Sequence, residues 1–211
     1  MDWVPQIMPH VVPHVAYAAV WASFGLGHSL FAGQAVKRRL PALGRWYRLV
    51  YNAVATVHIA AVLGAGWWLL GDRPAFATPW PVSVAQGMLA VLGFVFLGWA
   101  SRFYDMGRLA GIRQVRDPTI PEDEPLRLDG PHRYLRHPFY AAGLMIFWGL
   151  AQSPLGLATA IWGSAYFVIG ALFEERRLLA RYGTAYAVYR RRVPGFIPAP
   201  LLGRRPLPPT A

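Results

Sequence analysis

Two polar stretches of the chain carry side chains suited to holding a charged ligand. Residues Gly130 to Tyr140 read GPHRYLRHPFY and set two histidines, two arginines and two tyrosines just ahead of an apolar run. Residues Glu174 to Pro198 read EERRLLARYGTAYAVYRRRVPGFIP and place a carboxylate pair where another apolar run ends. Pro138 suits the first turn of a helix, because the N–H it lacks would be unpaired there. His137 then falls at or near the N-cap, where free N–H groups and a partial positive charge favour a carboxylate. The plainer account is a charged helix start anchored at the headgroup level. Glu174 and Glu175, read as a helix C-terminus, oppose the helix dipole and call for a cation. Arg176 and Arg177 could supply it, as could a ligand with an ammonium group and vicinal hydroxyls. Beyond the pair, Leu178, Tyr182, Tyr186 and Tyr189 recur at helical spacing, opposite a basic face with Arg181 and Arg190. Such a helix either lies on anionic lipid or folds back, bending at Gly183, to bring aromatics against a planar base or a sulfonium.

The elements that must position these residues are apolar runs. The chain has 211 residues, 55% hydrophobic and 15% charged, with nine Trp, ten Tyr and eleven Phe. That composition predicts a single all-α, polytopic membrane domain. Five runs are long enough to be spans or near-spans: roughly Val11 to Ala32, Leu49 to Leu70, Val82 to Ala100, the short Phe139 to Ala151, and Leu155 to Phe173. The tight Gln152-Ser153-Pro154 turn makes the last two an antiparallel hairpin. The start of one and the end of the other then lie side by side, which gathers His137, Tyr140, Glu174 and Glu175.

The formal charge of +11 would suggest nucleic acid in a soluble protein. Here the arginines cluster in alternate links, with only Arg73 on the other side. The positive-inside rule therefore explains them without a nucleic-acid partner, and puts the N-terminus outside and the C-terminus in the cytoplasm. Asp2 and the lack of an early Lys or Arg predict a permanent first span rather than a cleaved signal. Cysteine is absent, which excludes a disulfide, a Cys nucleophile and a thiolate metal site. No metal is needed, no internal repeat is evident, and no protein partner can be read. The acidic, Pro-rich stretch from Asp117 to Pro125 predicts a loop or a lid, and the chain from Pro198 onwards an extended or disordered end. His28 and His58, in the first two runs, read as hydrogen-bonded core residues or, less simply, as a haem-ligand pair.

Together the two stretches resemble the membrane methyltransferases typified by isoprenylcysteine carboxyl methyltransferase. That family shows G-P-x-R-Y-x-R-H-P-x-Y before a helical hairpin, then E-E-x-x-L, G-x-x-Y-x-x-Y and V-P-x-x-I-P. Gly130 to Tyr140, Glu174-Glu175 with Leu178, Gly183 with Tyr186 and Tyr189, and Val193-Pro194 with Ile197-Pro198 follow that order and spacing over the last third of the chain. His132 departs from it, since the family commonly has Tyr there. Gly27-His28-Ser29, the Tyr47 to Asn52 segment and Gln114 are similar to a bacterial branch near the methanethiol S-methyltransferases. That branch tends to carry a histidine in the last hairpin turn, where this chain has Pro154-Leu155-Gly156.

The resemblance implies S-adenosylmethionine (SAM) as methyl donor and a bacterial inner membrane as location. It implies that His137 and Tyr140 contact the cofactor and that Glu174 or Glu175 meets its ribose or amino end. The backbone around Gly130, Pro131, His132, Tyr134 and Leu135 would border the adenine, with Arg136, Tyr186 and Tyr189 nearby. The acceptor would be a lipophilic or small nucleophile (thiol, carboxylate or lipid amine), and Arg136, Arg190 or Arg191 could hold an anionic one. The rival readings are a haem-binding or carotenoid-isomerase-like protein of the same superfamily and a non-catalytic membrane scaffold. The expected layout is three N-terminal spans over 1–106, a loop, hairpin and C-terminal helix over 107–198, and a tail over 199–211.

Overall fold

In a bilayer the backbone polar groups have no water to bond, so each apolar run must close its hydrogen bonds within itself. The computed structural model describes residues 4–117, 119–120 and 125–208, and all regular structure among them is helical. The long helices are α1 (Val4–Phe31), α3 (Tyr47–Leu70), α4 (Trp80–Ser101) and α8 (Pro154–Tyr182). The shorter ones are α2 (Gln34–Arg39), α5 (Met106–Ala110), α6 (Ile112–Arg116), α7 (Pro138–Gly149) and α9 (Thr184–Arg192). Short 3₁₀ segments cover Pro41–Trp46 (kinked at Gly44), Gly130–Arg133 and Ala199–Leu202. Part of the acidic stretch read as a loop or lid, Pro118 and residues 121–124, lies outside the described residues.

Among the described residues, three segments are long and apolar enough to cross a membrane: Pro41–Leu70, Trp80–Ser101 and Pro154–Tyr182. The apolar helix α7 has 12 residues. That is about 18 Å of rise against a hydrocarbon core of roughly 30 Å, so it crosses only part of the bilayer.

Small residues let these helices meet. Helices α7 and α8 run antiparallel: Phe167 fills the space over Gly143, and Phe147 fills that over Gly163. Ser153 caps α8 by accepting from Gly156 N at 3.1 Å. On the other face of α7, Gly149 lies against Ala90 and Gly93 against Ile146, which docks α4. Helix α1 packs on α3 and α8 through a core of Tyr17, Trp21, Phe24, Val62, Leu70 and Ala158. Tyr17 is fully buried, and its hydroxyl pairs with Thr159 Oγ1 at 2.9 Å. A Cβ on Gly66 would stand 2.6 Å from the Tyr17 ring. Gly66→Ala is therefore expected to cost about 1–3 kcal/mol by overpacking. Thermal unfolding in detergent reads this directly, and an unchanged midpoint would contradict the packing.

Two expectations are corrected. The fifth apolar run does end near Phe173, but its helix continues to Tyr182. Arg176 to Arg181 are good helix formers, so the polar change marks the end of apolar length and not of the helix. Glu174 and Glu175 consequently sit inside α8, and the opposed-dipole argument does not apply to them. The break comes at Gly183, whose φ of +54° suits glycine, and α9 turns back from there. The tail is docked, not disordered, as far as Leu207, with extended chain from Arg204. Ala199 is buried, Leu207 N donates to Arg133 O at 3.1 Å, and Arg133 Nε donates to Leu207 O at 2.7 Å.

Candidate functional site

The turn ahead of α7 is held by the chain that follows α9. Arg136 N donates to Pro194 O at 2.9 Å, His137 N to Gly195 O at 3.0 Å, and Ala199 N to Tyr134 O at 2.9 Å. The V-P-G-F-I-P segment is thus a strap across the Y-L-R-H segment. Tyr189 of α9 adds a hydroxyl donated to His132 O at 2.9 Å. Gly130 opens the turn at φ +51°, and a Cβ there would run into the Phe103 ring.

This frame brings the predicted polar groups together. His137 is the N-cap residue of α7, but its side chain makes no capping bond. It turns instead to α8, with Nε2 2.9 Å from Glu175 Oε1 and Nδ1 3.6 Å from Glu174 Oε2. Arg136 reaches the same Glu175 oxygen through Nε at 2.8 Å and Nη2 at 2.6 Å. Its Nη1 donates to the carbonyls of Arg190 and Val193 at the end of α9. Arg190 Nη1 stands 3.7 Å from Glu175 Oε2. Neighbouring carboxylates point about 100° apart on a helix, and they take different work. Glu175 is a buried tie between α7, α8 and α9, while Glu174 faces open space.

That space is a cavity of about 570 Å³, within the range of small-molecule sites. Its rings include Tyr104, Tyr140, Tyr182, Tyr186 and Tyr189, and its polar wall includes Arg48, Arg127, His132, His137, Glu174 and Arg177. Of the residues the sequence singled out, His132, Arg136, His137, Tyr140, Glu174, Tyr186 and Tyr189 border it. Gly130, Pro131, Tyr134 and Leu135 instead build the turn behind it, with Pro131 and Leu135 fully buried. Glu175, Arg190 and Arg191 do not border it either, and Arg191 is exposed. Arg136 could hold an anionic acceptor only by releasing Glu175. Sequence reading missed Arg48, Tyr104 and Arg127. Arg48 and Tyr104 flank the ends of apolar runs, which is the only signal the sequence carries for them.

The electrostatics follow from burial. Burial pushes His132 down to about 4, with Asp129 and Glu174 only partly opposing it, so its imidazole is neutral. Its Nε2 is buried and makes no hydrogen bond. Burial also raises Tyr186 to about 12 and keeps its phenol protonated. For His137, burial disfavours the charged ring, but hydrogen bonds and charge from Glu174 and Glu175 outweigh it and raise its pKa. A group raised above its unfolded value of 6.5 stabilises the fold fully below that pH. The contribution fades as pH climbs through the raised pKa. A tenfold gain in proton affinity on folding corresponds to about 1.4 kcal/mol of stability. His137→Gln is expected to unfold at a lower midpoint than the wild type at pH 6, with the gap closing towards pH 9; the comparison cancels the opposite contribution of neutral His132, which both proteins share. Parallel curves for the two proteins would refute the assignment.

His28 and His58 are not free ligands. Tyr51 Oη lies 2.5 Å from His28 Nε2, and Ser23 Oγ 3.2 Å from His58 Nε2. The cavity they share is about 30 Å³, far too small for a porphyrin. No cluster of three or more metal-binding side chains occurs among the described residues.

Fold and site thus define an all-α membrane protein with a charged, aromatic-walled cavity where its last helical hairpin emerges. Comparison with known proteins gives that architecture an activity. The phospholipid methyltransferase family profile matches residues 82–185. A methanethiol S-methyltransferase of Bradyrhizobium diazoefficiens is 31% identical over 189 residues, covering 84% of this chain and 73% of its own length. Its counterpart in Pseudomonas deceptionensis is 29% identical, with 83% and 69% covered. That of Mycobacterium tuberculosis is 29% identical, with 93% and 85% covered. No solved structure gives a significant match. The chain belongs to this family of membrane methyltransferases, which joins the isoprenylcysteine carboxyl methyltransferase-like proteins to the methanethiol S-methyltransferases, and it is a methyltransferase.

Proposed function

We propose that the cavity binds SAM and that the methyl group goes to a small lipophilic nucleophile, a thiol first of all, arriving from the bilayer. The observation that carries this is Glu174. A carboxylate lines an aromatic-walled cavity, pinned beside the imidazole of His137, where a ligand bearing an ammonium group and hydroxyls could meet it. Tyr140 stacks on His137 with ring centroids 5.4 Å apart and forms the adjoining wall. The adenine is assigned to the side bordered by His132 and Tyr104. Arg48 and Arg177 border the cavity and are better placed than Arg190 or Arg191 for an anionic group.

When bound, SAM would supply an activated methyl, leaving S-adenosylhomocysteine behind, and a thiol acceptor would lose its proton to solvent. The chain's share is then positioning and water exclusion. The rings of Tyr104, Tyr140 and Tyr186 would shield the reacting atoms, and His137, held by two carboxylates, would keep Glu174 in place. A thiol is favoured because the relatives that match most of the chain are named for methanethiol. A phospholipid amine is the second reading, from the name of the matching family. Arginine-rich links on one side support a cytoplasmic cavity mouth, an external N-terminus and, in a bacterium, the inner membrane.

The test is calorimetric titration of the purified protein with S-adenosylhomocysteine, followed by transfer of labelled methyl from SAM to ethanethiol or to phospholipid vesicles. Binding with label in the thioether supports the reading. Label in lipid alone transfers it to the amine. A folded protein that binds neither nucleoside would end it.

A further inference from the structure

A second cavity lies between α1 and α3, bordered by Phe24, Gly27, His28, Tyr51, Val54 and His58. Its volume is about 30 Å³. A water needs roughly 10–15 Å³ on this measure, so the space suits a molecule of about two or three non-hydrogen atoms. The walls are mostly ring faces and aliphatic carbon, and one edge is polar, where Tyr51 Oη meets His28 Nε2. Val54 is half exposed, and the neighbouring Phe31 is 41% exposed, so the rim faces lipid. Part of the space exists because residue 27 has no side chain: a Cβ there would touch the His58 ring at 3.6 Å.

Two helices independently fix where this cavity sits. On α3, Arg48 borders the large cavity and Tyr51, one turn on, borders the small one. At the end of α1, Ala32 O accepts from Arg177, a residue of the large cavity, at 3.5 Å. Ala32 N in turn donates to His28 O at 2.9 Å. The small cavity therefore lies about one helical turn, or roughly 5 Å, deeper among the apolar runs than the large one. Tyr166 of α8 packs on both Phe24 and His28, with ring centroids 5.0 and 5.8 Å away, and so ties two of the small cavity's lining residues to the hairpin.

We propose that this small cavity is the acceptor's station on its way from lipid to the methyl donor, and that its size selects a one- or two-carbon thiol. The rings hold the alkyl group, and the His28–Tyr51 edge receives the S–H. Gly27 keeps the space open. The inference rests on methyl transfer to a thiol at the larger cavity, but its test reads thiol binding separately.

The experiment is saturation-transfer NMR of ethanethiol with the full-length protein in detergent, run beside calorimetry with S-adenosylhomocysteine. Gly27→Leu fills the cavity. Gly27→Ala removes part of it with an ordinary contact, and Tyr51→Phe removes the polar edge. The expected result is a saturation-transfer signal in the wild type that is lost in Gly27→Leu and reduced in the other two. Affinity for S-adenosylhomocysteine should stay within about twofold, while KM for ethanethiol should rise about tenfold in Gly27→Ala. If Gly27→Leu does not fold, Gly27→Ala and Tyr51→Phe carry the test. Thiol signal and KM unchanged in those two variants would overturn the proposal. Failure of the wild type to bind S-adenosylhomocysteine would defeat the reading of the larger cavity, while the thiol signal would still decide this one.

Discussion

Arg136→Ala is expected to destabilise the protein by about 3–5 kcal/mol, as breaking one side of a buried ion pair does. Glu175 has 12% of its side chain exposed and Arg136 15%, so little solvent is present to screen the loss. Without the guanidinium, Glu175 keeps the His137 bond at 2.9 Å, and Arg190 at 3.7 Å is too distant to replace what is removed. The carbonyls of Arg190 and Val193 also lose their donor, which frees the end of α9 from the turn before α7. Arg136→Lys is expected to recover little, because an ammonium cannot span a carboxylate and two carbonyls in one plane. The paired change Arg136→Met with Glu175→Leu should be less damaging than Arg136→Ala alone, since it leaves no unpaired charge. Denaturant unfolding in detergent across this double-mutant cycle measures the coupling. Additive losses would show that the pair is not a tie between the helices.

This tie also shows why the site was only partly legible in the sequence. The apolar runs predicted the all-α class and the hairpin, because hydrocarbon leaves the backbone no choice but helix. Hairpin geometry then placed Glu174 beside His137, since Phe139 to Ala151 and Leu155 to Phe173 could only run antiparallel. The different duties of Glu174 and Glu175 could not be read, because they depend on where α8 ends. Hydropathy signals the end of apolar length at Phe173, while helix propensity carries α8 to Tyr182. The strap of Pro194 and Gly195 across Arg136 and His137 was equally hidden. It is a pairing of irregular segments distant in the chain, set by two hydrogen bonds and by no periodic pattern. The docked tail was hidden for a similar reason. Its prolines do predict extended backbone, but nothing local records that Leu207 finds the carbonyl of Arg133. Arg48 shows the converse. Its neighbours suggested a span boundary, and only the turn of α3 brings it to the cavity.

Glu174→Gln is expected to weaken binding of S-adenosylhomocysteine about 10- to 100-fold, the range of a lost charge-assisted hydrogen bond. The amide keeps the size and one acceptor oxygen of the acid, so the loss isolates the charge. Glu174→Ala should cost at least as much. The effect on unfolding should be small by comparison with Arg136→Ala, because Glu174 is 40% exposed and opens on the cavity. This contrast between adjacent carboxylates is the sharper part of the prediction: one change alters binding with little loss of stability, the other alters stability first. Titrating SAM as well as S-adenosylhomocysteine locates the carboxylate further. If Glu174 meets the hydroxyls or the ammonium group, present in both, the two affinities fall by the same factor. If it faces the sulfonium, SAM loses more. Equal factors are expected, because a carboxylate held beside His137 and Tyr140 is placed to accept hydrogen bonds from hydroxyls or an ammonium group. Wild-type affinity in Glu174→Gln would mean that the cavity does not hold the donor by this acid, and the assignment of the site would have to be withdrawn.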